Sequence, residues 1–514
     1  MMSSYRDTYF FDPQKALSTA KKANVLRAID LSYTPYRIFE YPKSVERDQT
    51  FYNDLQICYY GGDKIFHAPD NLIHLPIENV AEFFKESRFR YPEIIDFDGL
   101  DATEETKQEI LLLFRQIVDD AENYKNNLAK VYHSISLESS LNFNETLRVF
   151  IGASRHTEVM QYIYKNIAEA FLLEGCEVVF EIEKNNMENL HTYFFLKKIS
   201  QFNPHITINI NHFNSDIINP DVFNFIWFQD MMPITTNNIE IKIRERDKVF
   251  SLTQGIKNAL IKKSVNSDIL HFMINERLYK PRQEIKKQKK IVFIGSSYEF
   301  RINKIKNDPD FDIVFMEAKN IFDEKGCLRG VQHQESEILH LMKKYNKTEM
   351  FIQNIYAYLA RDYCLEKLCE SSSEYDIEIY GNGFEKNNMI MKHYKGKVEN
   401  GEDVSKIYNS AMYGFCPGGY VLMQRTLECL FSGTTPLVLN TTKDGQDGNY
   451  NKNINEAIQF FTPSTLSEIL NDDCIKQNKD FSFITEHYGY KSFVHKCYEF
   501  IAHNIGKNKI IQEQ

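Results

Sequence analysis

The chain has 514 residues, which is more than one hydrophobic core usually organises, so two or three domains are expected. Hydrophobic residues make up 43% and aromatic residues 13%, too much for a disordered chain. The net charge of -10, from 61 Lys and Arg against 71 Asp and Glu, lacks the basic excess of a protein that binds phosphate backbones. Nucleic acid is therefore not expected as a partner.

The nine cysteines are odd in number and scattered without a C-x-x-C pair, which indicates reduced thiols and a cytoplasmic location. The amino terminus, "MMSSYRDTYFFDPQKALSTAKKAN", lacks the basic flank and long apolar run of a signal peptide. No stretch approaches the roughly 20 apolar residues of a membrane span. We therefore expect no transmembrane segment, while peripheral membrane contact stays open. No His and Cys spacing resembles a zinc site.

Residues 1–145 mix Tyr-rich extended segments with a helical pattern at about 103–131. From 147 onward, short β-rich runs alternate with helical ones: "LRVFIGA", a helix near 157–173, "CEVVFEIE", another helix, "ITININ" and "NFIWF". Alternation of this kind predicts a parallel sheet that is covered on both faces.

The same alternation of β-rich and helical runs begins again at "KKIVFIGSS" (289–297). It continues through "FDIVFME", a long helix near 347–370, "DIEIYGNG", "HYKGKV", "AMYGFCPGG" and "TTPLVLN". Between the two stretches, the Lys-rich "YKPRQEIKKQKK" (279–290) predicts a solvated linker rather than a nucleic-acid patch. These patterns predict four regions: an accessory region of mixed α/β character (1–145), two doubly wound domains (146–285 and 286–475) and a helical tail (476–514). The tail is a candidate to return to the first of these domains.

In open parallel sheets, ligands lie beyond the carboxyl ends of the strands. The most informative such loop is "PGGYVLMQR" (417–425), where Gly418 and Gly419 allow a backbone to approach a ligand and a helix start offers N–H groups to a phosphate or diphosphate. Arg425 can add a charge for phosphate oxygens, and Glu428 can accept hydrogen bonds from vicinal hydroxyls. Because these two residues are three positions apart on one helix face, a local ion pair is an equally good interpretation.

Two other loops follow strands in the same domain. Gly295 and Ser296 end "IVFIGSS" with Arg301 a few residues on, and Gly381 begins a Gly-Asn-Gly segment that, taken alone, is best interpreted as a tight turn. Neither domain contains G-x-G-x-x-G or a Walker P-loop, which argues against a nicotinamide dehydrogenase or an ATPase.

In the first doubly wound domain, His156 and Asp230 follow strands and are candidate bases, although a lone His is more often a cap or a packing residue. Asp96 and Asp98 form an Asp-x-Asp outside the alternating region, where turn or capping duty is favoured. The segment "DGQDGN" (444–449) lacks the terminal glutamate of a calcium loop and predicts a flexible loop.

The second doubly wound domain resembles the nucleotide-sugar half of a GT-B glycosyltransferase, most closely the CgeB-like (spore maturation) branch of the group-1 superfamily. The resemblance rests on "VFIGSSYEFR", "IEIYGNGF", "HYKGKV", "VSKIYNSAMYGFCPGG" and "RTLECLFSGTTPLV", and it covers about 147–470. It implies an α/β fold in which two Rossmann-like, doubly wound parallel-sheet domains face a cleft. The mixed α/β region at 1–145 is extra.

By this resemblance, Glu428 holds the donor ribose, basic and glycine residues lie near the diphosphate, and Tyr380 with Gly381 lies near the nucleobase. The donor-binding residues that it implies are Gly295, Ser296, Arg301, Tyr380, Gly381, Gly418, Gly419, Tyr420, Arg425 and Glu428. Many retaining relatives carry a second glutamate eight positions before the residue that corresponds to Glu428. This chain has Tyr420 at that position. An inverting and a retaining outcome therefore both stay open.

The implied reaction is attack by an acceptor hydroxyl on the anomeric carbon of a nucleotide sugar, with the nucleoside diphosphate leaving. Helix dipoles and basic side chains would neutralise the leaving group, without a metal or other cofactor. The acceptor would be a glycan, a lipid-linked glycan or a protein, and an Asn-, Lys- and Ile-rich composition is compatible with a bacterial source. An inverting enzyme would need a base, for which Asp230 and His156 are the candidates.

Two alternatives remain at this point. A GT-B-like nucleotide-sugar epimerase would share the fold and the ribose-binding glutamate but would leave residues 1–145 unexplained. A non-catalytic scaffold on a degenerate fold is slightly favoured by the missing glutamate, whereas the retention of Arg425 and Glu428 argues against it.

Overall fold

Three β-sheets organise the protein, which we describe from a computed structural model. The structure describes residues 8–11, 14–18, 57–59, 72–86, 94–134, 146–154, 158–182, 193–237, 240–326, 328, 336–371, 374–448, 450–471 and 486–512. Within these ranges the sheets have four, six and six strands.

The first sheet lies in the accessory region and has the strand order β3-β2-β1-β4, with every neighbouring pair parallel. Its strands and the helices that follow them are β1 (Thr8–Phe10), β2 (Ile57–Tyr59), β3 (Leu72–His74), α1 (Val80–Glu86), β4 (Ile94–Asp96) and α2 (Glu104–His133).

The second sheet has the order β10-β9-β8-β7-β5-β6. Its elements are β5 (Arg148–Ala153), α3 (Glu158–Leu173), β6 (Glu177–Ile182), α4 (Tyr193–Phe202), β7 (Ile206–Ile210), β8 (Phe223–Phe228), α5 (Pro233–Thr236), β9 (Asp247–Ser251), α6 (Gln254–Ile261) and β10 (Asp268–Ile269). Every residue of β7 and β8 is buried, as expected for strands covered on both faces.

The third sheet has the order β13-β12-β11-β14-β15-β16, and each neighbouring pair is parallel. Its strands are β11 (Gln288–Ile294), β12 (Asp376–Tyr380), β13 (Tyr394–Gly396), β14 (Ala411–Cys416), β15 (Thr435–Leu439) and β16 (Gln459–Phe461). The helices around it are α7 (Glu299–Asn303), α8 (Phe311–Lys325), α9 (Glu337–Tyr345), α10 (Glu349–Tyr358), α11 (Cys364–Glu370), α12 (Asn388–Met391), α13 (Glu402–Ser410), α14 (Gln424–Phe431) and α15 (Leu466–Asn471).

Strand β11 shows how the third sheet is covered. Ile291 and Phe293 point into one buried apolar cluster, whereas Val292 and Ile294 point into another. Because successive side chains of a strand face opposite sides, the sheet has a core on each face. Two six-stranded α/β sheets confirm the fold class that the GT-B resemblance implies.

The chain divides into two compact units. The first comprises Met1–Ile226, Lys242–Lys248 and Ile501–Gln514, and the second comprises Trp227–Ile241 and Val249–Phe500. A last helix, α16 (Tyr490–Gln512), begins in the second unit, where the ring of Phe493 lies edge-on to that of Phe250 in β9 at 5.9 Å. No helix in the described part of the chain is long and apolar enough to cross a membrane.

Helix α2 joins two cores within the first unit. Near its start, the ring of Phe114 lies 5.3 Å from that of Tyr9 in β1. Near its end, the buried Tyr132 belongs to the same apolar cluster as Phe150 of β5. The side chain of Asn219 donates a hydrogen bond to the Tyr132 carbonyl at 2.8 Å. The accessory sheet and the second sheet are therefore linked by one continuous helix.

One segment that the sequence predicts as a strand is helical. "FDIVFME" forms the start of α8, and Val314, Ala318 and Phe322 are its buried residues. These positions are four apart and so lie on one helix face. Short apolar runs rich in β-branched and aromatic residues fit both structures, which explains the wrong prediction.

The segment at 279–290, predicted as a solvated linker, is exposed at eight of its twelve positions and is docked within the second unit through a few side chains. Tyr279 is only 4% exposed. The ammonium of Lys287 donates to the carbonyl of Ala411 and to the hydroxyl of Thr434, both at 2.9 Å, and burial lowers its pKa. The prediction therefore holds for most of the segment, whereas Tyr279 and Lys290 are buried.

Candidate functional site

The loops at one edge of the third sheet carry most of the predicted site residues. Because β11, β12 and β14 run parallel, the loops that follow them leave the sheet at the same edge. These loops are Gly295–Ser297, Gly381–Gly383 and Pro417–Met423.

The first two loops are held against each other. A Cβ atom on Gly381 would lie 1.8 Å from the carbonyl oxygen of Gly295. The backbone of Gly381 also has a φ of 141°, which residues with a side chain rarely adopt. The N–H of Gly295 donates to the Tyr380 carbonyl at 2.9 Å, and that of Ser297 donates to the Asn382 carbonyl at 2.8 Å. Gly381 is therefore required for a close approach between two backbones.

The third loop is organised by Asp447. Its carboxylate accepts hydrogen bonds from the backbone N–H groups of Val421 at 3.1 Å and Leu422 at 3.0 Å. Burial raises the pKa of Asp447, and the two N–H donors together with nearby His271 act in the opposite direction. On Gly418, a Cβ atom would lie 2.0 Å from the sulfur of Met423, so a larger residue there would displace the Met423 side chain.

Asp447 comes from the segment predicted as a flexible loop. Asp444 and Asp447 are only 1% and 6% exposed, so that interpretation is wrong for both carboxylates. The spacing of the two aspartates resembles a metal loop, and nothing in it indicates capping of a distant backbone. The sequence therefore could not reveal this role.

Arg425 and Glu428 form an ion pair, with a guanidinium nitrogen 2.5 Å from the carboxylate oxygen Oε2. The other carboxylate oxygen accepts from the Gln424 amide at 3.1 Å, and Arg425 also donates to the Asn400 side chain at 2.9 Å. Glu428 is 4% exposed. The local ion pair is thus present, and both partners lie on the helix that follows the third loop.

Tyr279 reaches the same carboxylate from the docked segment. Burial raises the pKa of the Tyr279 hydroxyl, and the negative charge of Glu428 raises it further. A residue predicted to lie in a linker is therefore close enough to the central carboxylate of the site to feel its charge.

Two arginines share one aromatic ring beside the first loop. The guanidinium carbon of Arg361 lies 3.8 Å from the ring centroid of Tyr298, and that of Arg301 lies 4.9 Å from it. Arg361 also donates to the Ser296 carbonyl at 3.1 Å. Burial lowers the pKa of Arg361, Tyr298 and the Asp362 carboxylate act in the opposite direction, and the positive charges of Arg301 and Arg425 lower it further. Three guanidinium groups are therefore near one another at this edge.

A turn of π-helix, Leu359–Tyr363, places Arg361. Its neighbour Asp362 is 3% exposed and accepts from the Ser297 hydroxyl at 2.5 Å and from the Tyr298 N–H at 2.7 Å. Single π-turns inside α-helices occur frequently at functional sites. Sequence reasoning missed Arg361, although an Arg-Asp pair inside the apolar "LARDYCLEK" is the same kind of signal as the pair in α14.

Some predicted donor-site residues have other surroundings. The hydroxyl of Tyr380 donates to Glu378 at 2.9 Å, and Glu378 also pairs with Lys290 at 3.0 Å. Gly419 and Tyr420 are half-buried in the third loop.

The candidate bases and the acidic pair lie elsewhere in the chain. Asp230 is exposed, two residues after β8, whereas His156 lies outside the described residues. Asp96 accepts from the N–H of Asp98 at 3.0 Å, as the turn interpretation predicts, and Lys15 bridges both carboxylates. In the described ranges, no group of three or more His, Cys, Asp or Glu side chains could hold a metal ion.

No protein-family model and no curated protein matches this sequence. Solved structures that are similar to it at low identity include the following three. Anabaena Alr3699/HepE in complex with UDP-glucose is 7% identical, with 69% of this chain and 99% of that chain covered and a TM-score of 0.43.

The glycosyltransferase AviGT4, involved in Avilamycin A biosynthesis, is 10% identical, with 69% and 98% covered and a TM-score of 0.38. An α-glucosyltransferase in complex with UDP and a 13-mer DNA containing a HMU base is 12% identical, with 70% and 99% covered and a TM-score of 0.37. Likeness at this level assigns no residue, so the function is argued from the site itself.

Proposed function

We propose that this protein is a glycosyltransferase that moves a hexose from a nucleoside-diphosphate sugar to a hydroxyl of a glycan, a lipid-linked glycan or a protein. The observation that carries the proposal is the edge of the third sheet, where a buried Glu428 and the guanidinium groups of Arg301, Arg361 and Arg425 accompany a loop that requires glycine. Clustered guanidinium groups can bind phosphates, and a buried carboxylate beside them can accept hydrogen bonds from sugar hydroxyls. Together they suit a sugar nucleotide.

The arginines supply the charge for the diphosphate. The N–H groups of Val421 and Leu422 already donate to Asp447, so they are not available to a phosphate. Guanidinium groups can bind the phosphate oxygens, which they match with two parallel hydrogen bonds. The same groups would stabilise the negative charge that develops on the leaving diphosphate, and the proposed reaction needs no metal or cofactor.

Glu428 supplies the acceptor for the ribose hydroxyls. Each carboxylate oxygen can accept two hydrogen bonds, and Oε1 accepts one from Gln424. When Arg425 turns to a phosphate, Oε2 is left to accept a hydroxyl. In this view the Arg425–Glu428 ion pair and the donor contacts are alternative uses of the same two side chains.

The acceptor hydroxyl attacks the anomeric carbon and the nucleoside diphosphate leaves. If the configuration inverts, a base must take the hydroxyl proton, and the exposed Asp230 is the candidate among the described residues. His156 is the second candidate.

Donor binding tests the proposal. Calorimetry with UDP-, GDP-, CMP- and dTDP-sugars, starting with UDP-glucose, should reveal selective binding by the wild type. Glu428→Gln should weaken it about 10- to 100-fold, because it removes a charged hydrogen-bond acceptor. The matched control is Glu317→Gln. Glu317 lies on α8 and its carboxylate pairs with Lys344 of α9, so this variant should bind like the wild type.

Absence of binding to every donor would reject the proposal and favour the scaffold alternative. Turnover of a bound donor should require an acceptor. Conversion of the donor sugar without an acceptor would instead identify an epimerase.

A further inference from the structure

One surface of the second unit combines exposed apolar side chains with lysines. Met231, which follows β8, is 52% exposed, and Ile261, the last residue of α6, is 51% exposed. Lys262 and Lys263 follow Ile261 directly, and Lys257 lies one turn before it on the same helix face. We call these five residues the lysine–apolar surface.

Contacts between α5 and α6 make this surface continuous. The ammonium of Lys263 donates to the carbonyl of Asn237, which directly follows α5. The hydroxyl of Thr235 lies 3.8 Å from the sulfur of Met231, so the methionine side chain lies against the same short helix. The two exposed apolar side chains therefore belong to one surface.

Helix α6 is anchored without its exposed face. Ile256 and Leu260 are its buried residues. The side chain of Thr253 caps the start of the helix by accepting the Ile256 N–H at 3.3 Å. Ile261 is thus not needed for the core, and it remains accessible to an apolar partner outside the protein.

The charge of this surface is opposite to that of the whole chain. The segment 254–267 contains three lysines and no acidic residue, whereas the chain has a net charge of -10. An anionic bilayer attracts lysines, and apolar side chains beside them can enter the boundary between headgroups and acyl chains. Nucleic acid would use the lysines but not the apolar side chains. The combination therefore favours a lipid surface.

We propose that the lysine–apolar surface binds anionic lipid bilayers and holds the protein at a membrane surface. The proposal goes beyond the proposed function and does not depend on it, because binding to a bilayer needs neither a donor nor an acceptor. One consequence does rest on the proposed function. Asp230 precedes Met231 in the chain, so the candidate base would lie beside the bilayer, and a lipid-linked glycan would be the favoured acceptor.

Cosedimentation of the full chain with lipid vesicles tests the proposal. The wild type should bind vesicles of equimolar phosphatidylcholine and phosphatidylglycerol, and it should bind pure phosphatidylcholine at least about 10-fold more weakly. Lys257→Gln combined with Lys262→Gln should weaken binding to the anionic vesicles about 30-fold, since each lysine near such a surface contributes about 5-fold. Ile261→Ser should weaken it about 5-fold, because less apolar area enters the bilayer.

Matched controls change the same residue types elsewhere in the second unit. Ile313 is 62% exposed and follows Asp312 on α8, so Ile313→Ser removes an exposed isoleucine that has no lysines beside it in sequence. Lys343→Gln combined with Lys392→Gln removes two other exposed lysines. Both controls should bind the vesicles like the wild type. Thermal unfolding should be the same for all variants, because none of them changes a buried side chain.

Absence of binding to the anionic vesicles would overturn the proposal, as would equal losses in the surface variants and the controls. Duplex DNA that binds as tightly as the vesicles do, without an effect of Ile261→Ser on either, would assign the surface to nucleic acid instead. Vesicle binding without nucleotide-sugar binding would keep this proposal and reject the proposed function. Nucleotide-sugar binding without vesicle binding would do the reverse.

Discussion

The carboxylate of Asp447 accepts the backbone N–H of Leu422 at 3.0 Å, and so a residue beyond β15 shapes the loop that precedes α14. The N–H of Val421, one residue earlier, binds the second carboxylate oxygen at 3.1 Å. The position of Arg425 and Glu428 therefore depends on Asp447.

Asp447→Ala should weaken donor binding about 10-fold, because the loop would lose both of its acceptors. Asp447→Asn keeps one acceptor oxygen and should recover part of the affinity. Calorimetry with the donor identified for the wild type measures both variants. If the loop is held mainly by other contacts, Asp447→Ala will bind donor like the wild type, and the positioning role is wrong.

Gly381→Ala should destabilise the second unit by about 3 kcal/mol or more, because the added Cβ meets the Gly295 carbonyl in a conformation that alanine disfavours. Gly396→Ala is the matched control, since Gly396 also has a positive φ (93°) but open space around its Cβ position. The strain alone should cost about 1–2 kcal/mol. Urea unfolding of the two variants separates the clash from the strain, and equal midpoints would contradict the predicted clash.

The stability of the first unit should fall between pH 7 and pH 5 because of His205. Burial and the charge of Arg148 lower the pKa of His205 from 6.5 to about 4, and its Nδ1 accepts the Arg148 N–H at 3.0 Å. The unfolded chain thus binds the proton more tightly than the folded one. The stabilisation is complete above pH 6.5 and is lost as the pH falls towards 4.

The loss between pH 7 and pH 5 should be about 2 kcal/mol. Urea unfolding of the wild type and of His205→Asn at both pH values measures it. Asparagine retains an acceptor but does not titrate, so this variant should show a smaller pH dependence. An identical pH dependence would assign the effect to other groups.

Arg244→Met should destabilise the first unit by about 3–5 kcal/mol, because it leaves the fully buried carboxylate of Asp247 without its partner. Arg244 also donates to the carbonyls of Ile218 and Asn219 at 3.1 and 2.7 Å. Lys107→Gln breaks an exposed ion pair with Glu104 and should cost less than about 1 kcal/mol. Thermal unfolding measures both, and a small effect of Arg244→Met would show that the carboxylate is solvated after the substitution.

The sequence predicts the sheets well because parallel strands buried on both faces have a clear pattern of apolar runs, as in "NFIWF" and "IVFIG". It misassigns "FDIVFME", since a short apolar run has no period that separates strand from helix. The Gly-Gly loop and the pair in α14 can be found from the sequence because they interrupt regular patterns.

The contributions of Asp447, Tyr279 and Arg361 could not be predicted in this way. Each acts on a segment distant in the chain, and their residue types are ordinary for a loop, a linker and a helix. Only the pairing of strands brings these residues to the same sheet edge.

Within the first unit, helix α2 joins the accessory region to the apolar cluster around Phe150. A chain shortened to begin at residue 146 would lose Tyr132 from the cluster around Phe150 and would leave the Asn219 amide without its acceptor. The helix that follows the accessory sheet therefore contributes a buried side chain to the apolar cluster around Phe150. Any exchange of this region between proteins would have to supply a substitute for the last turns of that helix.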